Sequence, residues 1–299
     1  MALSRKVAQL KLEAALAVRH ALFWESCISK HGEEKATAFY SHLGLNHLNV
    51  SRETKSTEWE GLTLSREPRE SEKIAVKGIA QTQESAKVGI SEVLLTLRNE
   101  LIADGLEVLK ETDSTSYQEI VLQPAAHVRI GLRQKLRVTY KQGRALIARE
   151  LGSESKQDED DEFDDLDLLT DISLGRVVND VQSRLISSAQ RLSLVGTTGD
   201  SLITAVQTEM NAGSVSYIER TAQGLANRVI SIGRSDEAEE RADEWNRITY
   251  SAILDLNTCG PCSDADGEES DNGSDLEAVP NASCAGGDYC RCFWVYITV

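Results

Sequence analysis

Apolar residues recur every three or four positions along much of this chain, which is the spacing of one face of an α-helix. The longest regular run predicts a helix from about Glu72 to Asp104 that ends at Gly105. Its apolar stripe consists of Ala86, Ile90, Val93, Leu94, Leu97 and Leu101. A stripe of this kind is a core face or, alternatively, a contact surface for another subunit.

The same spacing predicts helices at 4–39, at 129–150 and from Val177 onward, and residues 214–247 are expected to form two helices joined near Ser231–Ser235. Residues 116–130, broken by Pro124, predict a strand or an extended loop. The alternating, β-branched stretch ITYSAILDL at 248–256 predicts a strand.

Charge lies in two neighbouring blocks of opposite sign. Five cations in the first block share helical spacing, and they are Arg129, Arg133, Arg137, Lys141 and Arg144. They form either a solvated helix face or a face that meets DNA or an acidic partner. Residues 152–168, the acidic segment, carry too many like charges for a core, so we predict a linker or exposed loop there. This segment could fold back on the basic block.

These patterns predict a mainly α protein with a small α+β module at its C-terminus. We divide it into a helical N-terminal region at 1–151, the acidic segment, and a C-terminal domain at 169–299. That domain would contain helices, a short strand or hairpin, and a cysteine-rich tail at 255–296, called here the cysteine module.

Composition narrows the functional classes. The net charge of -16 disfavours a free DNA-binding protein, since a strongly acidic chain repels nucleic acid. No apolar run approaches the roughly 20 residues that span a bilayer, and the charged N-terminus lacks the apolar block of a secretory signal. We therefore expect a reducing cytoplasm, where clustered cysteines bind metal or do redox chemistry more often than they form disulfides.

Five of the six cysteines lie in the cysteine module. They are Cys259, Cys262, Cys284, Cys290 and Cys292. A C-x2-C pair forms a knuckle that aims two thiolates at one point, and tetrahedral Zn²⁺ needs four ligands, so four of the five would bind structural zinc. The sequence does not say which cysteine is spare.

Disulfides and unligated or redox-active thiols remain alternatives to zinc. The module has few large apolar residues before CFWVYITV, so it needs a device other than a core. Structural zinc contributes about 10–16 kcal/mol in small modules, against roughly 2–4 for one disulfide. Zinc is the more effective single device.

The last quarter of the chain resembles the phage head morphogenesis proteins, the Mu F-like minor capsid family. The resemblance rests on ERTAQGLANRVISIGR, YSAILDLNTCGPCSDADG and CAGGDYCRCFW, in that order. The motif positions besides the cysteines are Arg220, Thr221, Asn227, Gly233, Arg234, Asp255, Asp266, Gly267 and Arg291. Two positions depart from the family pattern: Ala222 replaces a Glu, and Cys284 takes the place of a family histidine.

The resemblance implies a virion component that is present in the host cytoplasm during assembly and is not an enzyme. Its partners would be the phage portal protein and the major capsid or scaffold protein, with the basic block facing packaged DNA. No membrane and no small-molecule substrate are expected. The alternative is a cytoplasmic zinc-binding protein–protein interaction module unrelated to virions. No Walker, Gly-x-Ser-x-Gly, dinucleotide or His-Glu-x-x-His motif is present.

Overall fold

The computed structural model describes residues 56–112, 116–152, 163, 165–212, 215–254, 258–279, 281, 283–284 and 290–298. These lie in one compact unit, Glu53–Val299. The helices are α1 (Lys73–Glu111), α2 (Ala126–Glu150), α3 (Leu166–Leu194), α4 (Gly199–Ala212), α5 (Ser216–Glu240) and the short α6 (Gly260–Ala265). The predicted helix at 4–39 and the motif residue Asp255 lie outside the described residues.

Two antiparallel sheets accompany the helices. A hairpin pairs β1 (Thr57–Trp59) with β2 (Leu62–Leu64). A three-stranded sheet has the order β4 (Glu269–Ser270), β3 (Arg247–Ser251), β5 (Phe293–Ile297). The predicted mainly α fold with a small C-terminal α+β module is therefore confirmed, and the predicted strand at 248–256 is observed in the shorter form of β3.

The apolar stripe of α1 faces the core, so of the two interpretations, a core face and a contact surface for another subunit, the first is confirmed. Its members are buried, apart from the half-buried Val93. The predicted end at Gly105 is wrong, because α1 continues to Glu111. Gly105 lies inside the helix, and it packs so closely against α3 that a Cβ there would lie 2.6 Å from the Leu185 side chain. Close packing, not chain termination, explains this glycine.

Helix α5 is continuous where two helices were expected. It passes through Ser231–Ser235 without a break, and Gly233 lies against the backbone of α2. A Cβ on Gly233 would lie 2.3 Å from the Tyr140 carbonyl oxygen, and one on Gly143 would lie 2.6 Å from that of Ile230. The two glycines let the helices cross backbone to backbone. The segment at 116–130 forms a short 3₁₀ turn, an extended loop and the first turns of α2, with no strand.

The acidic segment does not separate two cores. Leu94 and Leu136, which precede it, belong to the same buried cluster as Val181 and Ile230, which follow it. Its last three residues, 166–168, begin α3. The boundary expected at 152–168 is corrected in this respect, because helices on both sides bury their apolar faces against each other. Among the described helices, none has the length and apolar character that crossing a membrane requires.

Candidate metal centre

The alternation of side chains along β3 and β5 determines which residues pack against the cysteine cluster. β3 and β5 pair so that Tyr250 lies opposite Trp294 and Ser251 opposite Phe293. Successive side chains point to opposite faces of a sheet. Phe293 and Val295 therefore pack into the helical core, while Tyr250 and Cys292 pack with the other cysteines on the opposite face.

The C-x2-C pair lies at the start of α6. Cys259 precedes the helix, and its carbonyl accepts a hydrogen bond from the Ser263 amide at 2.9 Å. Pro261 lies in the first turn, where its missing N–H costs nothing. This turn directs Cys262 into the cluster, where it is fully buried, while Cys259 stays partly exposed.

The five sulfurs meet in two groups of three that share Cys262. One group adds Cys259 and Cys284, the other adds Cys290 and Cys292, and within each group the sulfurs lie within 4.8 Å of one another. Sγ–Sγ distances are 3.6 Å for Cys259–Cys284 and 3.8 Å for Cys262–Cys290. These cysteines could hold a metal ion.

The two shortest sulfur–sulfur distances fit neighbouring ligands of a metal ion. With Zn–S bonds of about 2.3 Å, neighbouring sulfurs of a tetrahedral site lie about 3.8 Å apart. A disulfide requires about 2.05 Å, and all five described cysteines are free thiols. The arrangement therefore matches the metal interpretation of the sequence and not the disulfide alternative.

The environment favours ionisation of the Cys290 thiol over those of Cys262 and Cys292. Contact with the Cys262 thiol, and then with Cys284 and Cys292, lowers the pKa of Cys290 despite its burial. Burial, followed by the neighbouring Cys292, raises the pKa of the Tyr250 hydroxyl, so the phenol stays protonated. Thiolates are the form in which cysteine binds metal.

Three motif residues fasten the cysteine module to the helices. Asn227 Nδ2, buried in α5, donates to the Cys290 carbonyl at 3.0 Å. Arg291 donates to Oε1 of the buried Gln83 in α1. Arg234 donates to the Trp294 carbonyl at 2.6 Å. These bonds hold β5 and the residues just before it, which include Cys290 and Cys292, against α1 and α5.

A second, partly buried attachment involves Asp266. Arg66 donates two hydrogen bonds to Asp266 and two to Glu72, at 2.6–2.8 Å. Asp266 also accepts from the Ala252 amide at 2.9 Å, and the fully buried Glu72 accepts from the Ser251 hydroxyl at 2.6 Å. One arginine thus links the end of β3, the turn after α6 and the segment before α1.

Gly267 follows Asp266 directly and adopts a backbone conformation that favours glycine. Its φ is +92°, in the left-handed region, and a Cβ would lie 2.3 Å from the Arg69 guanidinium. Its amide donates to the Tyr250 carbonyl at 2.8 Å. Two other motif residues make hydrogen bonds within α5. Arg220 and Thr221 bond to carbonyls one turn earlier in α5.

The cations expected on one face of α2 are engaged within the protein. Arg129 pairs with Asp171 and Asp167, and Arg133 pairs with Asp167. Asp167 belongs to the acidic segment, so at this residue the segment does pair with the basic block.

The far end of the same face is buried. Arg144 is 5% exposed and pairs with Glu237 and Glu240 of α5, so it cannot lie on a DNA-facing surface. Arg137 and Lys141 also have partners. The expectation of a continuous DNA face fails at Arg144 because α5 packs against that end of α2.

Sequence reasoning missed Tyr250, Arg66, Glu72 and Gln83. Alternation in the predicted strand could have placed Tyr250 on the face of the cysteines. No local pattern connects Arg66 or Gln83 with a module about 200 residues later in the chain.

Comparison with known proteins finds no matching family model, no matching curated protein and no matching solved structure.

Proposed function

We propose that this chain is a minor head protein of a bacteriophage, active in head morphogenesis, portal association and DNA packaging or ejection. The observation that carries the proposal is the convergence of the motif residues. Asn227, Arg234 and Asp266 hydrogen-bond to the backbone around the cysteine cluster, and Arg291, which lies between two of its cysteines, bonds to Gln83 of α1. The resemblance to head morphogenesis proteins therefore concerns one structural unit and not unrelated short matches.

The metal in this proposal is zinc, in a structural role. Thiolate sulfur is a soft ligand that selects zinc over magnesium or calcium. The cluster offers more sulfurs than a catalytic site with an open position would need, and they are almost all buried. Bound zinc stiffens a tail that presents a fixed surface to a partner.

The partner in this proposal is protein. Arg291 is the sole basic residue between Thr258 and Val299, and it is turned toward Gln83. A nucleic-acid-binding zinc module needs basic and aromatic residues around its knuckles. Contact with portal, major capsid or scaffold protein suits the acidic surface better.

Co-expression with the portal protein of the same genome tests the virion role. We expect the chain to co-purify with portal rings and to sediment with them. A Cys262→Ser variant should bind less portal than a Cys27→Ser variant, which removes the cysteine outside the module. A zinc-loaded chain that ignores portal, capsid and scaffold proteins at micromolar concentration would favour the alternative, an interaction module unrelated to virions.

Elemental analysis of freshly purified protein tests the metal separately. We expect about one zinc per chain in the parent and in Cys27→Ser, because a tetrahedral site takes four of the five thiolates. Cys262→Ser should lose most of it. A metal-free parent whose thiols all react after denaturation would contradict the structural zinc site.

A further inference from the structure

Cys259 differs from the other cysteines of the module in its exposure. It lies just before α6 and is partly exposed, whereas the other four are each at most 9% exposed. The susceptibility of a cysteine to a dissolved oxidant follows its thiolate character and its exposure. Among these five residues, Cys259 is therefore the one at which oxidation begins.

A second thiol lies next to Cys259. The Cys284 Sγ is 3.6 Å from the Cys259 Sγ, and since a disulfide bond is about 2.05 Å long, the two sulfurs need to approach by about 1.5 Å. Neither residue lies within a helix or strand, so side-chain rotation with a small backbone movement can supply this approach.

The other close pair is shielded. The sulfurs of Cys262 and Cys290 lie 3.8 Å apart, but both residues are at most 1% exposed. A dissolved oxidant does not reach them while the module is folded. Exposure and distance together therefore select the pair of Cys259 and Cys284 for the first reaction.

A peroxide is the class of oxidant that this pair suits. The Cys259 thiolate attacks one peroxide oxygen, the O–O bond breaks, and the products are a sulfenic acid and hydroxide, which is protonated to water. The Cys284 thiol then attacks the sulfenic sulfur, so that an S–S bond forms and the sulfenic oxygen leaves as a second water. In total, two thiols are oxidised to one disulfide and one hydrogen peroxide is reduced to two waters.

One disulfide is enough to disable a four-sulfur metal site. Five sulfurs are present, and structural zinc takes four ligands. The disulfide removes two, which leaves Cys262, Cys290 and Cys292, the second of the two three-sulfur groups. Three sulfurs are too few whichever cysteine is spare in the reduced protein.

We propose that Cys259 and Cys284 form a redox modification site, at which a peroxide closes a disulfide and the module releases its zinc. This inference rests on the metal site of the proposed function and adds a control over its occupancy. In a reducing cytoplasm such a disulfide is transient, because cellular thiols reduce it by exchange. The module thus alternates between a stiff, metal-bound state and a loosened, oxidised one.

Controlled oxidation of the zinc-loaded full chain tests the inference. All proteins carry Cys27→Ser, so that only the five module cysteines remain. After one equivalent of hydrogen peroxide, a chromophoric chelator follows zinc release, and mass spectrometry of unreduced peptides maps the linkages. We expect Cys259–Cys284 to be the first disulfide and to form in step with the release of zinc. A phosphine reductant followed by added zinc should restore the starting zinc content.

Two variants that keep four sulfurs compare the exposed position with a buried one. Cys259→Ala removes the accessible thiol, so peroxide should release its zinc at least about tenfold more slowly than that of the parent. Cys292→Ala keeps the reactive pair and should release zinc no more slowly than the parent. Circular dichroism confirms that each variant is folded, and if a variant binds no zinc, the linkage map of the parent decides.

The results distinguish failure of this inference from failure of the metal site. A first disulfide that joins other cysteines, or a Cys259–Cys284 disulfide that forms while zinc stays bound, would overturn the inference and leave the metal site intact. A parent that holds no zinc before oxidation would overturn both.

Discussion

At the residue scale, the buried side chain of Arg234 attaches the cysteine module to the helices. Arg234 lies in α5 and pairs with Glu150 at the end of α2, and both side chains are under 7% exposed. The same guanidinium also donates to the Trp294 carbonyl in β5. Two helices and a strand therefore depend on one side chain, whose planar set of donors suits several acceptors at once.

Replacing Arg234 by Ala should be severely destabilising. It leaves the Glu150 carboxylate buried without its partner, and breaking a buried pair in this way costs about 3–5 kcal/mol. Arg247→Ala is the matched control, because Arg247 pairs with Glu269 at the surface, where such pairs contribute about 0–1 kcal/mol. Urea unfolding at neutral pH measures both. Equal losses in the two variants would contradict the role given to Arg234.

Glu72 links stability to pH. Its burial would raise the pKa of the carboxyl, but hydrogen bonds from Arg66, from the Ser251 hydroxyl and from the Arg69 amide outweigh burial and lower it. A carboxylate whose pKa is lower in the folded state stabilises the protein above its unfolded pKa, about 4.3 for Glu. That contribution is lost as the pH falls through the folded pKa.

Comparison of the parent with Glu72→Gln isolates this contribution. The parent should be more stable by about 1.5–3 kcal/mol at pH 7, the range for hydrogen bonds to charged groups. The difference should shrink below about pH 4.3. Urea titrations at several pH values measure it, with the exposed Glu269→Gln as control. A difference that stays constant down to pH 3 would rule out the linkage.

At the scale of elements, the crossing of α2 and α5 depends on glycine. Glycine inside a helix weakens it by about 1 kcal/mol relative to alanine. This loss of helix stability is offset here, because Gly143 and Gly233 allow the backbones of α2 and α5 to touch. That contact brings Arg144 to Glu237 and Tyr140 to Asp236. Gly233, which lies in the stretch where a joint between two helices was expected, therefore serves close packing.

Gly233→Ala should destabilise the protein despite the better helix propensity of alanine. The new Cβ meets a carbonyl of the neighbouring helix, and overpacking of this kind costs about 1–3 kcal/mol. Gly175→Ala, in α3, is the matched control because a Cβ there meets nothing within 4 Å. That variant should gain up to about 1 kcal/mol. Thermal denaturation gives both values, and a stabilised Gly233→Ala would disprove the close crossing.

At the scale of the whole molecule, the three-stranded sheet separates two kinds of interior. One face completes the helical core with Phe293 and Val295, and the other covers the cysteine cluster with Tyr250 and Cys292. The helical core has ample apolar contacts of its own, whereas the cluster consists mainly of sulfur and small side chains. The two parts should therefore respond differently to loss of metal.

Metal removal should loosen the module and leave the helices folded. After chelation, hydrogen exchange should accelerate in peptides that span Cys259–Cys292 while α1 stays protected, because ligand binding stabilises only the structure coupled to it. Added zinc should restore protection and magnesium should not. Equal acceleration in α1 would show that the helical core itself depends on the metal.

Local pattern predicted the parts of this protein that depend on neighbouring residues. The α1 stripe, the course of α2 and the position of β3 follow from periodicity, since a helix or strand repeats its burial at fixed intervals. The clustering of the cysteines also follows, because C-x2-C directs two side chains to one point. Helix ends and joints were missed at Gly105 and Gly233, where the close approach of a distant segment, not local preference, explains the residue.

The sequence by itself determined the helical class, the strand before the knuckle and the set of five sulfurs. The tertiary structure alone decided that Arg144 is buried, that Arg66 holds Asp266, and that Tyr250 lies beside Cys292. The reason is physical: periodicity records which side of an element is buried, but not which distant element covers it. Ion pairs and sulfur contacts between residues far apart in the chain form only when packing brings their backbones together.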